Sequence, residues 1–196
     1  MIIEELRRLK KNNYSITVNG ESYILDEEII LEYRLVKGKE ITEEILAEAA
    51  KKNSLAEYYH KALDYSVRYL KGEGATIDYL VSKGLSYQEA KEIVSKLVKN
   101  KIISDRPLVE AQIEGLVRRK YGRLYIKEKL RERKFPLELI DEEMGKIDYA
   151  LYYSNMNSLF NEAKKRYKGE QYIINTKAKK YVLSKGYSFD DLNHLE

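Results

Sequence analysis

Tyr79-Leu80-Val81-Ser82-Lys83-Gly84-Leu85-Ser86 recurs almost unchanged as Tyr181-Val182-Leu183-Ser184-Lys185-Gly186-Tyr187-Ser188. Between the two, in the same phase, stands Lys129-Leu130-Arg131-Glu132-Arg133-Lys134-Phe135-Pro136. The step is 50 residues from Gly84 to Lys134 and 52 from Lys134 to Gly186. A period of that length marks stacked supersecondary units, each too small to bury its own apolar face. The pattern predicts a mainly α protein, three tandem three-helix repeats in an elongated array. Such an array offers a binding surface rather than a cup around a catalytic pocket.

Within each unit the breaks fall at matching places. Repeat 1 (51–104) reads as a helix through Tyr58, Ala62, Tyr65 and Tyr69, a break at Gly72-Glu73-Gly74, and a helix from about Thr76 to Lys83. Gly84 suits a left-handed C-cap. Ser86 with Glu89 forms a capping box for a third helix with Ala90, Val94, Leu97 and Val98 on one face. Repeat 2 (105–150) opens at Asp105 as N-cap, runs to Lys120, breaks at Gly122, and resumes from Tyr125 to Arg133. Pro136 starts its last helix, where proline is tolerated. Repeat 3 (151–196) opens near Ser154, breaks at Gly169, resumes near Thr176, and ends in a short helix from Phe189 to Leu195.

Residues 1–50 differ. Tyr14-Ser15-Ile16-Thr17-Val18 and Glu21-Ser22-Tyr23-Ile24-Leu25 flank Asn19-Gly20. Asn-Gly between alternating runs predicts a β-hairpin, because both turn positions need positive φ. Asp26 caps a short helix through Ile29, Ile30, Tyr33 and Leu35 that ends at Gly38. Thr42 N-caps the next. A lone hairpin is marginal in water, so this extension must fold onto its own helix or onto repeat 1.

The chain has no cysteine, which excludes disulfides, thiolate zinc sites and cysteine nucleophiles. No run is apolar enough to cross a bilayer. The N-terminus carries acids where a signal peptide needs bases. These features predict a monomeric cytoplasmic protein without cofactor, metal or membrane contact. The net charge is only +4, but Leu116–Lys134 holds nine Lys/Arg against Glu128 and Glu132. A local cationic field on a near-neutral chain predicts an anionic partner for one face.

The candidate contact residues are Arg118, Arg119, Lys120, Tyr121, Arg123, Lys127 and Arg131. Arg123, Lys127 and Arg131 lie at i, i+4 and i+8 and share a stripe, with Ile126, Leu130 and Phe135 toward the core. Arg118, Arg119 and Lys120 end a helix, where cations also suit the macrodipole. Tyr121 and Tyr125 interleave with the cations, and such rings stack on bases. Guanidinium forks suit phosphate, and the same stripe suits acidic side chains. His60 and Asp64 lack a third partner, and Asp141-Glu142-Glu143 reads as a solvated face. No paired-carboxylate, Ser-His-Asp or metal-ligand constellation is present, so no catalytic residue is assigned. Gly72-Glu73-Gly74 lacks the Lys-Ser/Thr of a phosphate loop.

Residues Ile103 to Met144 resemble the middle repeat of the RecX family, bacterial modulators of the RecA recombinase. The resemblance rests on Asp105, Leu108, Ala111, Arg118, Arg119, Tyr121-Gly122, Ile126, Leu130 and Glu138-Leu139-Ile140. Repeat 1 is similar through Ala62, Tyr65, Arg68-Tyr69-Leu70, Leu80, Lys83-Gly84 and Ile102. Residues Tyr14 to Thr42 resemble the hairpin-and-helix extension of members from low-GC Gram-positive bacteria. Lys134 stands where the family has a turn glycine, and Gln112 and Glu114 where an aromatic and a base are common. Repeat 3 matches least. The resemblance implies a non-enzymatic, all-helical regulator in DNA repair, homologous recombination and the SOS response. It implies binding along the RecA–single-stranded-DNA filament, with suppression of strand exchange and ATP hydrolysis. A stand-alone helical nucleic-acid-binding protein, independent of RecA, is the alternative reading.

Overall fold

The computed structural model describes residues 1–10 and 12–195. The chain divides into two compact units, Met1–Asp64 and Tyr65–Glu196. The first holds a three-stranded antiparallel sheet in the order β1 (Ile3–Arg8), β2 (Asn13–Val18), β3 (Glu21–Asp26). The Asn-Gly hairpin forms, with Val18 paired to Glu21 across the turn and both Asn19 and Gly20 at positive φ.

The outer strand β1 goes beyond the hairpin that the sequence pattern predicts. Its sequence, Ile-Glu-Glu-Leu-Arg-Arg, has no period-two alternation, and its place is fixed by pairing with β2. Ile3 anchors it: its N–H donates to the Lys39 carbonyl, its carbonyl accepts from Gly38, and its side chain is fully buried. Ile3, Ile16, Val18, Leu25, Ile29, Ile30, Leu35 and Ile41 form the core of this unit with Leu46 and Ala49.

Helix α1 (Glu27–Glu32) is capped by the Asp26 carboxylate, which accepts from the Glu28 N–H at 2.9 Å. It ends at Tyr33 rather than running on toward Gly38. Arg34 takes φ of 49° and Leu35 closes back on the Ile30 carbonyl, which stops the helix. Helix α2 (Glu43–Tyr69) then runs without a break through residue 50. Thr42 caps it through a hydrogen bond from the Ile45 N–H at 3.3 Å. Nothing between Ala50 and Ser54 is a glycine or proline, so one helix carries both the segment after Thr42 and the segment through Tyr58. Asn53, on α2, grips the sheet. Its amide donates to the Ile24 carbonyl and its oxygen accepts from the Asp26 N–H.

The second unit holds α3 (Glu73–Ser82), α4 (Tyr87–Lys99), α5 (Asp105–Arg118), α6 (Arg123–Glu132), α7 (Leu137–Met144), α8 (Tyr149–Lys164) and α9 (Gln171–Ser184). A short 3₁₀ turn follows at Asp191–His194. The repeat is visible in backbone and burial alike. Gly84, Lys134 and Gly186 all take positive φ after the second helix of their unit. Leu85, Phe135 and Tyr187 follow them and are buried. The Ser86–Glu89 capping box is present at the start of α4.

Several helix starts differ from the sequence reading. Helix α3 begins at Glu73 rather than near Thr76, so only Gly72 of Gly72-Glu73-Gly74 stays outside it; α6 begins at Arg123 rather than Tyr125; and the last element is the 3₁₀ turn rather than a helix from Phe189 to Leu195. Ser104, not Asp105, is the N-cap of α5, and the Asp105 carboxylate turns to another helix. Helix α8 begins at Tyr149 rather than near Ser154, because the Asp148 carboxylate accepts from the Ala150 N–H. Helix α9 starts at Gln171, five residues before Thr176.

Lys134 pays a steric cost at its φ of 66°, since a left-handed residue with a Cβ is disfavoured by about 1–2 kcal/mol. Its ammonium recovers part of this by pairing with Asp78 at 3.3 Å, though both side chains are more than half exposed. Such a pair contributes at most about 1 kcal/mol. Lys134→Gly is therefore expected to stabilise the protein by about 0.5–1 kcal/mol in urea denaturation. A variant less stable than wild type would show that the lysine stem packs more favourably than its backbone is strained.

Repeats 1 and 2 meet at Asp105. Its Oδ1 accepts from the Glu73 N–H at 2.8 Å, at the first turn of α3. Its Oδ2 is buried without a partner. Burial raises the Asp105 pKa, opposed only in part by the Glu73 N–H. The Glu73 carboxyl is raised as well, first by burial and second by Asp105. Both groups are thus less favourably ionised in the folded state than in the unfolded chain. The penalty is present above their folded pKa values and vanishes as the pH falls through them. Asp105→Asn keeps the Oδ1 acceptor and removes the charge. Its stability relative to wild type is expected to be highest near neutral pH and to shrink on acidification, in denaturation curves taken from pH 7 to pH 4. A difference independent of pH would refute the assignment of strain to the charge.

Candidate functional site

Helix α6 is held from both sides. Its N-cap, Gly122, lies against the Gly186–Tyr187 peptide of repeat 3. The Gly122 N–H donates to the Lys185 carbonyl at 2.8 Å and the Leu124 N–H to the Gly186 carbonyl at 3.0 Å. The Arg123 N–H, a helix-start donor that needs a partner, reaches the buried Tyr152 hydroxyl at 3.1 Å, which donates onward to Asp191. Burial, first of all, pushes the Tyr152 phenol far above its ordinary range. Ile126 and Leu130 are fully buried and Phe135 nearly so, which fixes the rotation of α6. Arg123, Lys127 and Arg131 consequently stand off the core at helical spacing.

The seven candidates divide by what they touch. Arg123 hydrogen-bonds the Tyr149 hydroxyl and lies over that ring at 5.4 Å. Lys127 pairs with Asp141 at 2.6 Å, and Arg131 approaches Glu128 at 3.8 Å. Arg118 pairs with Glu114 at 2.6 Å, with both side chains about three-quarters exposed. Exposed pairs of this kind are exchanged for an external anion at little cost. Lys120 is different. Its φ is 62°, and its ammonium is held by Glu162 at 2.6 Å and Ser158 at 2.8 Å. Lys120 and Ser158 hold the Glu162 carboxyl below its usual range. Lys120 joins the end of α5 to α8 and is the least available cation of the set.

Arg119 lies over the Tyr121 ring at 5.3 Å. Tyr121 and Tyr125 stack on each other at 4.1 Å, so each ring already has one face covered. Repeat 3 brings further members, whereas all the candidates read from the sequence lie in repeat 2. Lys185 sits within 5.3 Å of the Tyr121 centroid and 5.4 Å of Tyr181, and Arg166 lies over Tyr181 at 5.2 Å. Lys129 completes the group over Tyr125 at 5.6 Å. The register held a signal for Lys185: it occupies the place of Lys83 and Arg133 in the other repeats. The arrangement can hold an anion on the α6 stripe and a planar or apolar group against the tyrosines.

The acidic run Asp141-Glu142-Glu143, toward the end of α7, is a solvated face at its first two residues but not at the third. Glu143 is buried, and Arg106 and Lys146 both pair with it. Glu142 pairs with Arg106 at 2.7 Å, and Asp141 with Lys127. His194 stacks on Tyr153 at 4.2 Å. Among the described residues, no helix is long and apolar enough to cross a membrane.

No family model matches the sequence. Curated relatives do. The chain is 26% identical over 151 residues to the regulatory protein RecX of Geobacillus sp. (strain WCH70), covering 76% of this chain and 56% of that one. It is 28% identical to the Oceanobacillus iheyensis protein of the same name, covering 55% of this chain and 42% of the relative. With the Streptococcus uberis regulatory protein RecX it shares 25% over 199 residues, 97% of this chain and 74% of the relative. The chain thus spans about half the length of the first two relatives. A crystal structure of a regulatory protein RecX superposes with a TM-score of 0.81 at 20% identity, over 98% of this chain and 97% of the other. RecX from Lactobacillus salivarius superposes at 0.66 and 21% identity, over 71% and 92% of the two chains. Sequence similarity along most of the chain, together with the shared fold, makes this chain similar to the RecX family of regulatory proteins.

Proposed function

We propose that this chain binds the RecA–single-stranded-DNA filament and restrains the recombinase without enzymatic action, as a cytoplasmic monomer. The observation that carries the reading is α6: three cations at helical spacing stand off a fully buried Ile126–Leu130 seam. Their internal partners are exposed, so acidic filament surface or DNA phosphate can replace them at small cost. Similarity to the regulatory proteins named RecX supports the class of protein, a regulator. The same proposal divides the chain into the extension at 1–50 and repeats at 51–104, 105–150 and 151–196, with repeat 2 as the contact unit.

The test is RecA ATP hydrolysis on single-stranded DNA, titrated with this protein. A dose-dependent fall is expected, and unchanged hydrolysis at saturating protein overturns the proposal. The second reading, direct nucleic-acid binding without RecA, is favoured by the Tyr121–Tyr125 stack with Arg119 and Lys185 around it. It predicts affinity for naked DNA that falls steeply with salt, since released counterions scale with phosphate contacts. Tight binding to preformed filaments with indifference to naked DNA excludes it.

A further inference from the structure

A second surface, of opposite charge at its rim, lies where repeat 2 meets the start of α8. Between α5 and the start of α8 runs an open groove of about 460 Å³, within the range of roughly 300–1,000 Å³ common for ligand clefts. Its floor is two apolar rows. Ile113 and Val117 lie four residues apart on α5, and Ile147 and Leu151 lie four residues apart across the start of α8. The first three are buried, while Leu151 is 50% exposed. The Asn155 amide donates to the Val117 carbonyl at 2.9 Å and ties the two walls together. Rows at i, i+4 on two helices form the grooves into which the side-chain ridge of a third helix packs.

The rim is acidic. Arg118 and Lys146 also line the groove, but each is paired, with Glu114 at 2.6 Å and with Glu143 at 2.8 Å. Glu110 and Asp148 have no cation partner among the described residues. This rim belongs to the same repeat as the cationic window, yet it repels the anion that α6 suits. The two surfaces therefore serve different partners or different parts of one.

We propose that the groove is a docking site for an amphipathic helix that carries leucine-like side chains on one face and Lys or Arg beside them. The apolar side chains enter between the Ile113–Val117 and Ile147–Leu151 rows. The flanking cations meet Glu110 and Asp148. The inference is independent of the RecA reading, because it concerns a surface of opposite charge and is tested without RecA.

The probe is a fluorescein-labelled synthetic helical 15-mer with Leu on one face and Lys on the other, with a Glu-for-Lys counterpart. Binding is followed by anisotropy with the full chain. The Lys peptide is expected to bind at least about tenfold more tightly than the Glu peptide, about 1.4 kcal/mol in its favour. Leu151→Ser, at a half-exposed position that folding tolerates, is expected to weaken it about fivefold, and Glu110→Lys with the fold intact by a similar factor. Equal binding of the two peptides overturns the proposal. So does Lys-peptide binding that neither variant changes. Concentration-dependent dimers in sedimentation that Leu151→Ser abolishes would assign the groove to a second copy of this chain, and would overturn it as well.

Discussion

Gly122→Ala is expected to lower the melting temperature by about 6–12 °C, the equivalent of about 3 kcal/mol for a chain of this size. The backbone of Gly122 is ordinary, with φ of −80° and ψ of 163°, which any residue adopts. The glycine is required for space alone. A Cβ there would overlap the Gly186 carbonyl carbon and oxygen and the Tyr187 nitrogen. All three are backbone, so no rotamer change relieves the clash. Two backbone hydrogen bonds cross the same joint, from Gly122 and Leu124, and Tyr187 beside them is 1% exposed. Separating repeats 2 and 3 would also loosen the helix that carries the cation stripe. Gly115→Ala supplies the contrast. Gly115 lies inside α5 with open space where its Cβ would stand, so alanine there is expected to stabilise by about 0.5–1 kcal/mol through helix propensity. The same chemical change thus has opposite signs at two positions seven residues apart. Thermal melts followed by circular dichroism decide it, and a Gly122→Ala melt within about 2 °C of wild type would falsify the tight joint.

That joint shows which parts of the fold the chain spells out locally and which it does not. The phase of the repeat is local: Gly84, Lys134 and Gly186 all end a helix in a left-handed residue, and the apolar residue after each is buried. The core face of α6 is local too, because Ile126 and Leu130 follow the helical period. Strand β1 is not, since its Glu-Glu-Leu-Arg-Arg pattern becomes a strand only through β2 and through Ile3 on the Gly38–Lys39 turn. Glu143 looks like surface in sequence because its burial depends on Arg106, 37 residues earlier. Asp105 looks like an N-cap because nothing local announces the Glu73 N–H that claims it. Within the candidate site the period located the stripe, while long-range pairing sorted its members. Lys120 is drawn off by Glu162, and Lys185 arrives from repeat 3, outside the Leu116–Lys134 window of dense charge.

Reversing the stripe, Arg123→Glu with Lys127→Glu and Arg131→Glu, is expected to raise the concentration of this protein needed for half-inhibition of RecA strand exchange at least about tenfold. Rim charges act mainly on association rate and register, and three reversed contacts exceed the 1.4 kcal/mol that a tenfold change requires. The fold is expected to survive. The pairs lost are Lys127–Asp141, with side chains 43% and 60% exposed, and Arg131–Glu128, with 56% and 62%. Each contributes about 0–1 kcal/mol at that exposure. Arg123 gives up its Tyr149 hydroxyl, but its backbone N–H keeps Tyr152, so the first turn of α6 stays satisfied. A matched control separates place from net charge. Lys91, Lys96 and Lys99 are exposed on α4 of repeat 1, and their reversal to Glu changes the total charge by the same amount. The control is expected to inhibit like wild type. If both triple variants lose inhibition equally, the partner reads net charge and the α6 assignment fails. If the α6 variant inhibits fully while its melt is unchanged, the anion-binding face lies elsewhere, and Arg119 with Lys185 around the Tyr121 ring becomes the next surface to reverse.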